Sequence, residues 1–404
     1  MFTIFVSDES GVGSSSANPN VKNYQSEEHH LQRKIVQPLP PAKNPISTTT
    51  IAIHSRKCNR RLTTSLPPFP TPNHHSLCLS QDGAHLNGKF KGTIFLAVAM
   101  DGNNQILPIA FGIGKTESGE SWTWFLTKLK ECIGENPSLS IISDKVASIE
   151  MAIRTVFPFS FHGLCCRHLM VNLRLKSKKG KTFEQLWWRT CKAYRVSDFD
   201  ELMHTLINDC PDIYNTLLNV GYDKWSRAHS AGQRYNVMTS NSAESINALS
   251  RHARKLPITK LIEFFREYLQ KWYYNRRNLG VELEHPLTQW AENKVMQRIT
   301  KSATWKVTGV NGHVFEVADG GKKGLVDLYA RTCSCRQWQL SGLPCGHVIV
   351  VSRFLNQTEC SHWALHWFTR DVYRSTYEES INTPLRRPVM PITARLSTRS
   401  NIRS

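Results

Sequence analysis

Residues 92–113 read GTIFLAVAMDGNNQILPIAFGI. Gly92–Met100 is an almost unbroken apolar run, the pattern of a strand buried on both faces. The DGNN segment, 101–104, is a turn signal, and 105–113 returns as a second strand. Pro108 has no N–H to give a ladder, so this returning strand is expected at a sheet edge. SLCLSQD (76–82) precedes the pair as a short strand, completing a meander.

Downstream, Trp122, Phe125, Leu126, Leu129 and Ile133 recur at the spacing of one helix face. SLSIISD (138–144) is a further strand, VASIEMAIRTVF (146–157) a second helix, and FSFHGLCC (159–166) a short strand. Meander, helix, strand, helix, strand is an α/β order in which the later strands extend the sheet in parallel. From about 169 to 300 the chain reads as helical. It includes KLIEFFREYLQKWYYNRR (260–277), with Leu261, Phe264, Phe265, Tyr268 and Trp272 in helical register. The segment 304–335 alternates like β-hairpins, with Asn-Gly and Gly-Gly turns.

The chain has 404 residues, enough for two or three domains. Residues 1–74 are rich in Ser, Pro and Asn without a sustained period and read as disordered, as does the basic tail 380–404. Lys and Arg number 51 against 32 Asp and Glu, a formal charge of +19 that favours a polyanionic partner, nucleic acid first. No apolar run is long enough to cross a membrane, so no membrane partner is expected. The opening MFTIFVSDESG lacks the basic flank of a signal peptide. Eleven cysteines in a chain without such a signal point to reduced thiols or metal ligands. Cys58 is alone in the first 74 residues, so no zinc finger can form there.

CSCRQWQLSGLPCGH (333–347) holds Cys333, Cys335, Cys345 and His347 as C-x-C-x9-C-x-H. Three thiolates and an imidazole fill a tetrahedral Zn2+ site and leave no water position, so the role is structural. On extended backbone each C-x-C or C-x-H pair lies on one face, and Gly342, Pro344 and Gly346 permit the turn between them. The competing reading is four buried, inert side chains.

The same segment, C-x-C-x2-W-Q-x3-G-x-P-C-x-H, closely resembles the SWIM-type zinc finger. In plants that finger commonly follows a Mutator-like (MULE) transposase domain. The stretch 82–131, then IISDKVASIEMAI (141–153) and FHGLCCRHLMVN (161–172), resemble that domain in the same order, over about 76–290. The resemblance implies an α/β fold: an RNase H-like mixed sheet core at 75–295, with a helical insertion at about 169–238. A small zinc-binding module at 300–360 would follow.

It further implies metal-dependent cleavage and joining of DNA by an Asp-Asp-Glu triad holding Mg2+ or Mn2+. Asp82, Asp144 and Glu244 match the three positions. Read singly, Asp82 suits a turn, Asp144 a helix N-cap, and Asn241-x-x-Glu244 a capping box. Asp101, Glu117 and Glu120 are the rival carboxylates. Cys165-x-x-His168 matches a family motif placed beside the active site, which makes His168 a candidate catalytic residue. It is half a zinc site without an evident second half, and a buried Cys with a surface His explains it equally well.

RLKSKKGKTFEQLWWRTCKAYR (174–195) offers Lys and Arg with Trp187, Trp188 and Tyr194 for phosphate contact and base stacking, or forms a solvated helix with a Trp core face. Its KSKKGK suits nuclear import, and a nuclear location is expected. Partners implied are DNA and a second copy in a homo-oligomer. Family members usually carry an N-terminal DNA-binding region, where residues 1–74 here are Pro- and Ser-rich. That departure keeps a non-catalytic DNA-binding or regulatory protein, or an inactive transposase fragment, as the alternative.

Overall fold

A computed structural model describes residues 3–6, 50–52, 78–177, 180–357 and 359–379. The rest of the low-complexity N-terminal stretch, part of KSKKGK and the basic tail 380–404 lie outside the described residues.

The meander forms as the sequence predicts. Strands β3 (Cys78–His85), β4 (Thr93–Met100) and β5 (Ile106–Gly114) pair antiparallel in order. β6 (Ser140–Ser143) adds in parallel to β3, and β7 (Phe161–Leu164) in parallel to β6. Two short strands from the N-terminal stretch, β1 (Thr3–Val6) and β2 (Thr50–Ala52), extend the other side, giving the order β2-β1-β5-β4-β3-β6-β7. This corrects one expectation: β5 is not an edge. Pro108 is accommodated because β1 pairs only with Ala110–Ile113, while Pro108 itself lies at a register shift opposite Val98. A missing N–H is tolerated at such an irregularity.

Alternation along the strands assigns the two faces. Phe95 points to helix α1 (Gly119–Ile133), whose Trp122 ring stands edge-on 4.8 Å away. Gly112, opposite Phe95 on β5, shares that face. A Cβ there would lie 2.7 Å from Phe125, so only glycine lets the helix approach. Helix α2 (Ala147–Val156) packs beside α1.

The insertion follows as α3 (Cys166–Ser177), α4 (Lys181–Lys192), α5 (Val196–Asp209), α6 (Tyr214–Val220) and α7 (Tyr222–Trp225). It has its own apolar cluster, centred on Trp187 stacked against Trp225 at 4.8 Å. Trp187 is therefore a core residue, which removes it from the nucleic-acid-stacking set. Trp188 and Tyr194 remain half-buried, under Lys192 and Arg227 respectively.

The chain then returns to the sheet as α8 (Asn241–Leu249) and the long α9 (Ile258–Glu282). α9 lies on the face opposite α1, where Phe265 meets Phe111 with centroids 4.5 Å apart.

Helix α10 (Gln289–Lys301) leads into a separate antiparallel sheet of β8 (Lys306–Gly309), β9 (Val314–Ala318), β10 (Lys323–Asp327) and β11 (Thr332–Cys333). Helices α11 (Gln337–Ser341) and α12 (Gly346–Phe354) complete this unit. A last helix, α13 (Arg370–Thr376), comes back to α9, where Arg374 Nε donates to the Gly280 carbonyl at 2.7 Å. Tyr373 and Tyr377 are buried in the main core.

Asp101, at the meander turn, is locked by this return. Its carboxylate accepts from the Tyr377 hydroxyl at 2.6 Å and from the Asn103 and Gln105 amides at 2.9 and 2.8 Å. Arg276 Nε stands 3.5 Å away. Asp101→Ala leaves these buried donors unpaired and is expected to cost about 3 kcal/mol. Tyr377→Phe removes a single hydroxyl and is expected to cost about 1 kcal/mol. Urea titration of the two variants measures both; equal costs would contradict the assignment of Asp101 as the hub.

Candidate active site and zinc centre

The β3–β6 register decides where the carboxylates fall. Cys78, Leu79 and Ser80 pair with Ser140, Ile141 and Ile142. Two residues further on, the same register sets Asp82 beside Asp144. Asp82 lies within β3, not at its end, and Asp144 immediately follows β6. Asp82 is opposite Leu96, one residue from Phe95, so it points away from α1 and toward α8.

Glu244 stands in the first turn of α8, and Asn247, three residues on, shares its face. Asn247 Nδ2 donates to Asp82 Oδ2 at 2.7 Å. Nothing in the sequence marks Asn247 beyond that i, i+3 spacing. Ser240, not Asn241, precedes α8 as its cap, and its hydroxyl donates to Glu244 Oε1 at 2.9 Å. Asp144 caps nothing: Val146 occupies the cap position of α2. Among the rival carboxylates, Asp101 is structural, Glu117 approaches Gly83 on the opposite side of β3, and Glu120 is exposed in the first turn of α1.

Burial drives the Asp82 carboxyl up to about 6, and the negative charges of Glu244 and Asp144 push it the same way. Asp144 is raised too, chiefly by burial, against the pull of His168. His168 is raised as well, up to about 9, which in a histidine favours the charged form. Its bond with Cys165 is the main cause, with Glu244 and Asp144 adding to it. His168 Nε2 lies 3.7 Å from Glu244 Oε1. The C-x-x-H pair thus meets the third carboxylate: Cys165, His168 and Glu244 each offer a donor atom within 4.8 Å of the others. This is the partner that sequence spacing could not reveal, because Glu244 arrives from another helix.

His162 on β7 pairs with Ile141 and so faces away from the two aspartates, with Nε2 2.9 Å from the Ser143 hydroxyl. Burial holds it down to about 4. A histidine kept neutral in the fold stabilises above its unfolded pKa, near 6.5, and that stability is lost as pH falls toward 4. His162→Gln is expected to flatten thermal stability between about pH 6.5 and 4; an unchanged acid slope would contradict the assignment.

The zinc centre closes as expected in its ligands. Cys333, Cys335, Cys345 and His347 are all buried, with donor atoms within 4.8 Å of one another. The backbone differs from the extended pairs anticipated. Cys333 ends β11, Arg336 takes a left-handed φ of 59°, Cys345 caps α12, and His347 lies in that helix's first turn. His347 turns Nδ1 toward the thiols, 3.6 Å from Cys333 Sγ and 3.9 Å from Cys345 Sγ. Its Nε2 faces Asp319 Oδ2 at 3.3 Å.

Asp319 is itself fixed, accepting from the Gly321 and Lys322 amides through Oδ1. A carboxylate behind a ligating imidazole fixes its tautomer and ring orientation. Asp319 lies fourteen residues before the first cysteine, outside the C-x-C…C-x-H spacing, and the sequence reading missed it. Gly324 lets β10 pass under the ring, since a Cβ there would lie 2.3 Å from His347. Arg298 of α10 donates to the Leu343 and Pro344 carbonyls, both at 2.8 Å, pinning the turn between ligand pairs. Trp338 is buried against Trp363 and packs the module, presenting no face to a partner.

A groove of about 820 Å³ runs between the insertion and this module, lined by Arg189, Lys192, Arg195, Lys301, Tyr194 and Trp305 among others. No helix among the described residues is long and apolar enough to cross a membrane.

Metal analysis of the purified chain is expected to find the tetrahedral site filled by zinc and emptied by the Cys333→Ser/Cys345→Ser double substitution. Asp319→Ala is expected to weaken zinc about 10–100-fold, read by competition with a chelator. Full retention in the double variant would refute this ligand set.

The comparison with known families marks the same two regions. No curated protein matches the chain. Residues 78–172 match the MULE transposase domain, a span that holds Asp82, Asp144, Cys165 and His168. Residues 320–356 match the SWIM zinc finger and hold all four zinc ligands. The chain carries a MULE transposase domain followed by a SWIM zinc finger.

Proposed function

We propose that the chain is a metal-dependent DNA strand transferase with an RNase H-like core, in which Asp82, Asp144 and Glu244 form the carboxylate set. One observation carries this reading: Asp82 and Asp144 stand on neighbouring parallel strands in matching register, and α8 brings Glu244 and Asn247 over them. Burial is the main cause of the rise at Asp82, and the repulsion from Glu244 and Asp144 that adds to it is the condition a bound cation relieves. Carboxylate oxygens are also the donors that Mg2+ and Mn2+ prefer. The donor chemistry of these residues suits the metal. When bound, it supplies Lewis acidity for attack of water or a 3′-hydroxyl on a phosphodiester.

The chain's own groups supply the rest. Asn247 fixes the Asp82 carboxylate by its amide. Ser240 and His168 hold Glu244, and His168, raised to about 9 by its bond with Cys165 and by the nearby carboxylates, carries positive charge beside them. His168 is in this reading a positioning residue. The groove between insertion and finger offers Arg189, Lys192 and Lys301 for phosphate contact beside the ion-paired Asp198, Glu201 and Asp319, and a DNA substrate implies action in the nucleus.

A second reading, a non-catalytic DNA-binding protein, is favoured by one feature. Glu244 is engaged by His168 and Ser240 and converges with Cys165, not with both aspartates.

Nicking of supercoiled DNA separates the two. The transferase reading predicts cleavage with Mg2+ or Mn2+ that Asp82→Ala and Asp144→Ala each reduce to background while binding persists. Salt-sensitive binding without cleavage under either metal would leave the DNA-binding reading standing.

A further inference from the structure

Cys165, His168 and Glu244 make up a cluster that the carboxylate chemistry does not use as a unit. Their donor atoms lie within 4.8 Å of one another. They come from the starts of two helices far apart in sequence, Cys165 and His168 at α3 and Glu244 at α8. The backbone builds this meeting. The Cys165 amide donates to the Ser143 carbonyl at 2.8 Å and the Cys166 amide to the Met238 carbonyl at 2.9 Å. The Ser240 amide then points at Cys165 Sγ, 3.4 Å away. Cys165 is only 1% exposed, so its thiol faces this cluster and not solvent. His168 presents Nε2 to the cluster, 3.7 Å from Glu244 Oε1, so a nitrogen, a sulfur and a carboxylate oxygen converge from three side chains.

We propose that Cys165, His168 and Glu244 form a second metal site, selective for a borderline-soft divalent cation of the zinc class over Mg2+. A thiolate and an imidazole select zinc-class ions, whereas Mg2+ prefers all-oxygen sites. Cys165 binds as the thiolate and gives its proton to solvent. Three protein ligands leave one position open, unlike the closed Cys333/Cys335/Cys345/His347 centre. Occupation ties Glu244 to α3 and withdraws it from Asp82 and Asp144. That consequence, a zinc brake on Mg2+ chemistry, rests on the function proposed above; the site itself does not.

The test is metal counting on the full chain after equilibration with Zn2+, repeated with Co2+ as a spectroscopic probe. Two metals per chain are expected. Cys165→Ser, His168→Gln and Glu244→Gln should each bind one fewer, with far-UV circular dichroism unchanged. The Cys333→Ser/Cys345→Ser chain should keep a Co2+–thiolate absorption band that Cys165→Ser, added to it, abolishes. One metal in the wild-type chain, or two in the Glu244→Gln and Cys165→Ser variants, would overturn the site. A chain that holds two metals yet never nicks DNA retains this site and loses only the strand-transfer reading.

Discussion

The parallel pairing of β3 with β6 is the constraint on which the site depends. Side chains alternate faces along a strand, so a shift of one residue would send Asp82 and Asp144 to opposite sides of the sheet. The observed register keeps both on the α8 face. The core on either side holds that register. β4 is buried along almost its whole length, α1 and α2 cover one face, and α9 seals the other through Phe265. Burial that stabilises the sheet also strips water from Asp82, and this, with the neighbouring charges, raises its pKa.

The zinc module is tied into the core at two points. Arg298 of α10 holds the turn between ligand pairs, and the chain beyond the module returns to bury Tyr373 and Tyr377 against α9. The finger is therefore a loop out of the core, not an appendage after it. A metal that closes this loop restrains the α10 end and, through the return segment, the Asp101 hub. The groove between module and insertion gains its shape from the same arrangement.

Local pattern was legible in the sequence; meetings at a distance were not. The meander, α1 and the β3–β6 pair follow from apolar periodicity, because burial of those residues is what forms them. The zinc ligands follow from spacing within fifteen residues. Asp319 and Arg298, which support them, carry no spacing signal because they act from other elements. Glu244 was placed, but its link to Cys165 and His168 required knowing how α8 packs on β3. Trp187 left a stacking surface and a core face equally open, since a basic aromatic segment reads the same whether its ring faces a base or a core, and the core face is the one found. Pro108 misled about the sheet edge because a bulge absorbs proline as well as an edge does.

The central claim is that the β3–β6 register builds a divalent-cation site from Asp82 and Asp144. Crystals of the full chain bound to a DNA duplex end and soaked in Mn2+ test it directly by anomalous scattering. The account predicts manganese between the Asp82 and Asp144 carboxylates, with a second ion about 4 Å away toward Glu244. An anomalous map with no manganese at either aspartate, at a concentration that saturates other sites on the protein, would contradict it.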